Sequence, residues 1–226
     1  MPGSFVDLAQ HCAPQITVET LAAIVSIESN FQPFAIRINS DHPLADQPQT
    51  RSEAIETATI LIAEGHDVDL GLGSVNSGDL NRLGLSVTDT FDFCLNLKAT
   101  ATLLDGYYQV ALRAGATEAD AQSVMLRSYY GRGDASVGEI VGYDSRVLAE
   151  RGRLSGVLDK IMVTEGQGAG PATSDDAASA NTIRQGSPMD EAAAGSQTRR
   201  TSIPAWDVFN SGRRSSVLVF SNEQKE

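Results

Sequence analysis

Metal-binding and cross-linking residues are scarce in this 226-residue chain, which has two cysteines and three histidines. Cys12 and Cys94 cannot cage a zinc ion alone, and His11, His42 and His66 fall in neither an HExxH nor an HxxxH spacing. No metal and no cofactor are therefore expected. The two thiols leave two options open, a pair of buried cysteines or one disulfide, and periodicity does not decide between them. Positive charge is scarce as well. Seventeen Lys and Arg stand against 29 Asp and Glu, a net charge of −12, which argues against nucleic acid and anionic membrane surfaces as main partners. No apolar run approaches the roughly 18–20 residues needed to span a bilayer, so no membrane span is expected. The opening residues MPGSFVD lack both a basic n-region and an apolar h-region, so no export signal is visible in this chain. Other fingerprints are missing too. Gly71-Leu72-Gly73 is followed by the next glycine only at 78, which breaks the dinucleotide pattern, and Asp67-Val68-Asp69 lacks the calcium-loop spacing.

What is present suffices for one core. At 41% hydrophobic residues the chain can bury a single domain of roughly 150 residues. The acidic excess lies almost wholly in residues 1–162, and the composition changes just beyond. From Gly166 to Ser202 the chain is small, polar and poor in apolar residues, which predicts a flexible, disordered linker over 163–202. Residues 203–226 turn apolar again around Trp206, Phe209 and the run Val217 to Phe220, as a short interacting tail would.

The first 162 residues read as mostly α. Thr17 can cap a helix in which Leu21, Ile24 and Val25 share a stripe. Ser52 is the expected cap of a second helix, with Ile55, Ala58 and Ile62 on one face and Gly65 as its stop. Leu97, Ala101, Leu104, Tyr108 and Leu112 mark a third, and Thr117 with Asp120 opens a fourth that ends at Tyr129. Between the second and third, Asp67 to Asp92 reads as loops with short strands at most.

Glu28 is the sharpest anomaly. It continues the Leu21/Ile24/Val25 stripe, seven residues after Leu21, so periodicity sets a carboxylate on an apolar face. Desolvation there disfavours the charged form, the condition a general acid needs near neutral pH. The alternative is a helix that ends at Glu28 with the side chain turned to water. The surrounding ESNFQPFAI (Glu28 to Ile36) resembles the first motif of the goose-lysozyme-like, soluble lytic transglycosylases. Further blocks are DLGLGSVNSGDLNRLGL (Asp69 to Leu85), FDFCLNLKA (Phe91 to Ala99) and GRGD with GYDSRV (Gly131 to Val147). Together with QHCAP (Gln10 to Pro14) they resemble the peptidoglycan-remodelling transglycosylases of type IV secretion systems, the Vir-type first component, over roughly residues 5–150. The tail resembles the ending of that family as well.

That resemblance implies a lysozyme-like, mainly α domain in the periplasm with Glu28 as sole acid/base. It implies substrate contacts at Ser29, Ser74, Val75, Asn76, Tyr129, Tyr130 and Tyr143, the last near the catalytic carboxylate. The chain departs from the family at two places, with Ser74 where the family has Gln and Gly131 where it has Asn. The implied chemistry is non-hydrolytic cleavage of the MurNAc–GlcNAc β-1,4 bond, leaving a 1,6-anhydro end and opening the wall for secretion-system assembly. The alternative function is a catalytically weak, peptidoglycan-binding assembly factor of the same apparatus. Implied partners are glycan strands and other secretion-system components, the latter through the tail. The resemblance extends to both cysteines, and it implies a Cys12–Cys94 disulfide suited to an oxidising compartment.

Overall fold

The computed structural model describes residues 3–39 and 43–164. These belong to a first compact unit, Met1–Asp175; the second, Asp176–Glu226, lies outside the described residues, as do the expected tail and nearly all of the expected linker. Strand β1 (Gly3–Ser4) leads into helix α1 (Phe5–Cys12), then α2 (Val18–Ser29) and β2 (Ile36–Ile38). Helix α3 (Arg51–Ala63) is followed by β3 (Val68–Leu70), β4 (Val75–Asn76) and the single turn α4 (Leu80–Leu83). The long α5 (Phe93–Arg113), α6 (Glu118–Tyr130), α7 (Ala135–Ile140) and α8 (Tyr143–Leu154) precede β5 (Met162–Val163). The fold is mainly α, as expected for a lysozyme-like domain. None of these helices is long and apolar enough to cross a membrane.

Helix α2 is the axle. Thr20 to Val25 are all buried, so the helix is enclosed on every side and the expected single stripe is only part of its buried surface. Leu21, Ala22 and Val25 pack with Phe5, Ala9, Leu97 and Leu154. Ala23 and Ile24 pack on the other side with Leu104, Met125, Tyr143 and Val147. A third cluster joins Ile36, Val68, Leu70 and Val75 of the small sheet, with Phe34 just ahead of it, to Ala54 and Ala58 of α3. That sheet is antiparallel in the order β2-β3-β4. A second antiparallel pair, β1 with β5, sets Gly3 against Val163, and Val163 is fully buried. The folded unit therefore runs past the boundary expected at residue 162.

Local chemistry explains where the helices start. Thr17, Asp92 and Thr117 occupy N-caps, and Asp92 accepts from the Leu95 N–H at 2.9 Å. The cap of α3 is Thr50, not Ser52. Thr50 Oγ1 accepts from the Glu53 N–H while the Glu53 carboxylate accepts from the Thr50 N–H, a reciprocal pair that Ser52 cannot form. Four helices, α1, α7, α8 and the single turn α4 within the stretch expected to be loops, are additional to those expected from periodicity. In α8 the buried Tyr143, Val147 and Leu154 are separated by charged residues, which dilutes the pattern.

The disulfide joins Cys12, the last residue of α1, to Cys94, the second residue of α5, with Cα atoms 5.1 Å apart. Cys94 thus sits in the first turn of α5.

Candidate active site

The end of α2 delivers Glu28. After Ser29 the chain reverses sharply, with Asn30 at φ 51° and Phe31 at φ 60°, a left-handed pair that non-glycine residues adopt at a cost. The Asn30 N–H closes the helix on the Ser26 carbonyl, and the Phe31 ring packs edge-on against Phe5 at 5.2 Å. This reversal brings β2 back beside the helix end. Ser29 is buried and its hydroxyl donates to the carbonyls of Val25 (3.1 Å) and Leu72 (2.7 Å). It fastens α2 to the 71–74 loop and does not line the groove, contrary to its expected place among substrate contacts.

Glu28 is only 3% exposed along its side chain. The Tyr143 hydroxyl donates to Oε1 at 2.6 Å, while the buried Oε2 accepts no hydrogen bond of good geometry from the described residues. The Nη1 atom of Arg37 stands 3.1 Å from Oε2, within ion-pair distance. The sequence-based setting is corrected here: the carboxyl leaves the apolar core at the helix end and meets a guanidinium. It does not turn to open water either.

Around this carboxyl the protein gathers Arg37, Asp69, Ser74, Asn76, Tyr129 and Arg132, which line a cavity of about 30 Å³. A larger cavity of about 420 Å³ shares Arg37, Asp69, Tyr130 and Arg132 with it and adds Asn39, Gly131 and Val137. Tyr129 donates to the Gly73 carbonyl at 2.5 Å, which ties α6 to the 71–74 loop. Burial first, and the Glu28 charge second, hold the Tyr129 and Tyr143 hydroxyls well above the ordinary tyrosine range, so both are neutral donors. The Tyr130 ring lies 5.1 Å from that of Tyr143 and is partly exposed towards the larger cavity.

The 71–74 loop depends on two close approaches. Gly71 is left-handed (φ 75°), and a Cβ there would overlap the Asn96 side chain; one on Gly73 would overlap Thr100. Asn96, itself buried, accepts from the Gly73 N–H (2.8 Å) and donates to the carbonyls of Leu70 (2.9 Å) and Thr90 (2.8 Å). The loop ends at Ser74, whose hydroxyl approaches the Glu28 carbonyl at 3.4 Å. Val75 points into the core and is not a groove residue. Asn76 does line the site, donating to Asp67 (2.6 Å) and Asp69 (2.7 Å). Gly131 has a steric reason for departing from Asn, because a Cβ would overlap the Asp134 carbonyl oxygen.

Sequence reasoning missed the charged side of the site. Arg37 and Asp69 are partners across β2 and β3, and Asp69 is 3% exposed. Arg132 reaches from the α6–α7 turn to Asp67 Oδ2 (2.5 Å) and Asp69 Oδ1 (3.2 Å). Strands of three residues are too short to display alternation, so only the odd Arg37 within FAIRI carried any signal.

Comparison with known proteins adds relatives. The chain is 41% identical over 108 residues to the type IV secretion system protein virB1 of Brucella abortus biovar 1, covering 48% of this chain and 45% of that protein. The same figures hold for the virB1 protein of Brucella suis biovar 1. Over 146 residues it is 32% identical to protein virB1 of Agrobacterium fabrum, covering 63% of this chain and 57% of that one. The chain thus spans about half the length of the curated relatives it matches. No family model matches it. No solved structure matches it either.

Proposed function

We propose that this chain, whose relatives are virB1 proteins of type IV secretion systems, is a peptidoglycan lytic transglycosylase with Glu28 as its single acid/base. The observation that carries this reading is the asymmetric seat of Glu28. Tyr143 holds Oε1 and the Arg37 guanidinium stands 3.1 Å from Oε2, so both oxygens of a carboxyl that lines the cavity are fixed for proton exchange with a substrate oxygen. Most glycosidases need two carboxylates, one of them to activate water or attack the sugar. Here one is enough, because the substrate supplies the rest.

In the first half-reaction the Glu28 proton moves to the glycosidic oxygen between MurNAc and GlcNAc. The C1–O bond breaks, and the carbonyl oxygen of the 2-acetamido group bonds to C1. In the second half the Glu28 carboxylate takes the proton of the 6-hydroxyl, O6 bonds to C1, and the acetamido oxygen leaves. The product is a 1,6-anhydro end, no water is consumed, and Glu28 regains its proton. Tyr130 and Asn76 are proposed to meet the sugars, with Tyr129 and Ser74 shaping the groove wall. The disulfide suits an oxidising compartment, which supports a periplasmic site of action beside the secretion apparatus.

The test is muropeptide analysis of purified sacculi treated with the full chain or with Glu28→Gln. The wild type is expected to release 1,6-anhydro-muropeptides and the variant none. Reducing ends would indicate a hydrolase instead. Sedimentation with sacculi and no released sugar would favour the glycan-binding assembly factor. A folded Glu28→Gln protein that cleaves at the wild-type rate would refute the assignment.

A further inference from the structure

The cation beside Glu28 is held unusually firmly. Arg37 and Asp69 face each other across β2 and β3, so their side chains emerge on one face of the sheet. Arg37 donates through Nε (3.2 Å) and Nη2 (2.8 Å) to the same oxygen, Asp69 Oδ2. The other Asp69 oxygen receives Asn76 at 2.7 Å and Arg132 at 3.2 Å. With four donors converging on a carboxylate that is 3% exposed, Asp69 cannot swing, and the guanidinium plane is fixed by it. Only Nη1 is left over, and it stands 3.1 Å from Glu28 Oε2.

An ordinary surface ion pair would contribute little. This one differs in that Arg37 is already paired with Asp69, a buried carboxylate it shares with Arg132, so the guanidinium is held independently of Glu28. Burial opposes the Arg37 charge, but Glu28 and Asp69 more than offset that and hold its proton above the ordinary arginine range. The groups facing the Glu28 carboxyl are the Tyr143 hydroxyl from α8, Tyr129 from α6, Arg37 from β2 and, behind Arg37, Asp69 from β3. Both tyrosines are neutral, so Arg37 is the cation at Glu28.

We infer that Arg37, clamped by Asp69, is a positioning residue that holds Glu28 Oε2 in place through Nη1 between the two half-reactions. The catalytic consequence rests on the transglycosylase reading given above. One carboxyl must act first as acid and then as base. A fixed cation beside Oε2 stabilises the carboxylate left after the first proton transfer, and so keeps a competent base waiting for the 6-hydroxyl.

Two measurements on the full chain test this. The first is the pH profile of kcat/KM for anhydro-muropeptide release. In Arg37→Gln the alkaline limb should move to higher pH, because the opposite charge 3.1 Å from Oε2 is removed. The second needs no catalysis: the carboxyl 13C resonance of Glu28, assigned by its loss in Glu28→Gln, should titrate with a midpoint displaced in the same direction. Arg37→Lys is the second variant in case Arg37→Gln fails to fold. One ammonium can serve Asp69 or Glu28 but not both, so a smaller displacement is expected. An unmoved Glu28 midpoint in folded Arg37→Gln, or in folded Arg37→Lys if the first variant does not fold, overturns the inference. A displaced midpoint in a protein that releases no anhydro sugars would uphold the role of Arg37 and refute the transglycosylase reading instead.

Discussion

Asn96 supports the groove from beneath, and its removal has a cost that follows from geometry. Its side chain satisfies one N–H, that of Gly73, and two carbonyls, those of Leu70 and Thr90, all at 2.8–2.9 Å and all buried. In Asn96→Ala these three backbone groups lose their partner together, and no other side chain among the described residues reaches them. A buried polar group left unpaired costs about 1–3 kcal/mol. A water entering the vacated space would recover part of this, so the lower end applies, about 3–5 kcal/mol in all. Set against a typical domain stability of about 5–15 kcal/mol, that is a large fraction. With a urea slope near 2 kcal/mol/M, the unfolding midpoint should fall by roughly 2 M. The assay is equilibrium urea unfolding of the disulfide-intact protein followed by far-ultraviolet circular dichroism, which reports on the helices. Asn96→Asp separates acceptor from donor. It keeps an acceptor for the Gly73 N–H, loses both donations and buries a charge, so it should be at least as destabilising at neutral pH. A loss below about 1 kcal/mol for Asn96→Ala would show that the 71–74 loop is anchored elsewhere, and would refute the reasoning.

Two further predictions concern stability. Replacing Cys12 and Cys94 by serine frees a loop of 82 residues and should cost about 4.5 kcal/mol in the chain-entropy model, read by the same urea titration; a loss under about 1 kcal/mol would contradict it. Tyr129 and Tyr143 keep their protons above the ordinary tyrosine range, while in the unfolded chain both ionise near about 10. Their contribution is therefore fully present below about pH 10 and declines as pH rises through the folded values, because the unfolded state then binds fewer protons. Thermal midpoints measured from pH 8 to 11 should fall less steeply for Tyr129→Phe than for the wild type, and equal slopes would count against the assignment.

Much of the helical frame was legible in the chain because its signals are local. Thr17 and Thr117 cap their helices, and the apolar spacing of Leu97, Leu104 and Met125 matches core positions. The start of α3 is equally local, since Thr50 with Glu53 three residues on spells the capping box that Ser52 lacks. Helix α8 was missed because charged residues interrupt its buried positions, so Tyr143 was reached through family resemblance alone. Ser29 and Val75 were assigned to the groove by the same route, and both proved to hold the scaffold instead.

By itself the sequence determined a mainly α domain and an acid in the last turn of a buried helix. It did so through periodicity, capping and motif, all properties of neighbours along the chain. Only the tertiary structure decided what that acid touches. Arg37 lies nine residues beyond Glu28 and Asp69 another 32 on, and nothing in their local sequence relates them. They meet because two left-handed residues after α2 turn the chain back and the register of β2 with β3 sets Arg37 opposite Asp69. Charge pairs formed between distant segments depend on how those segments pack, and that information resides in the assembled fold.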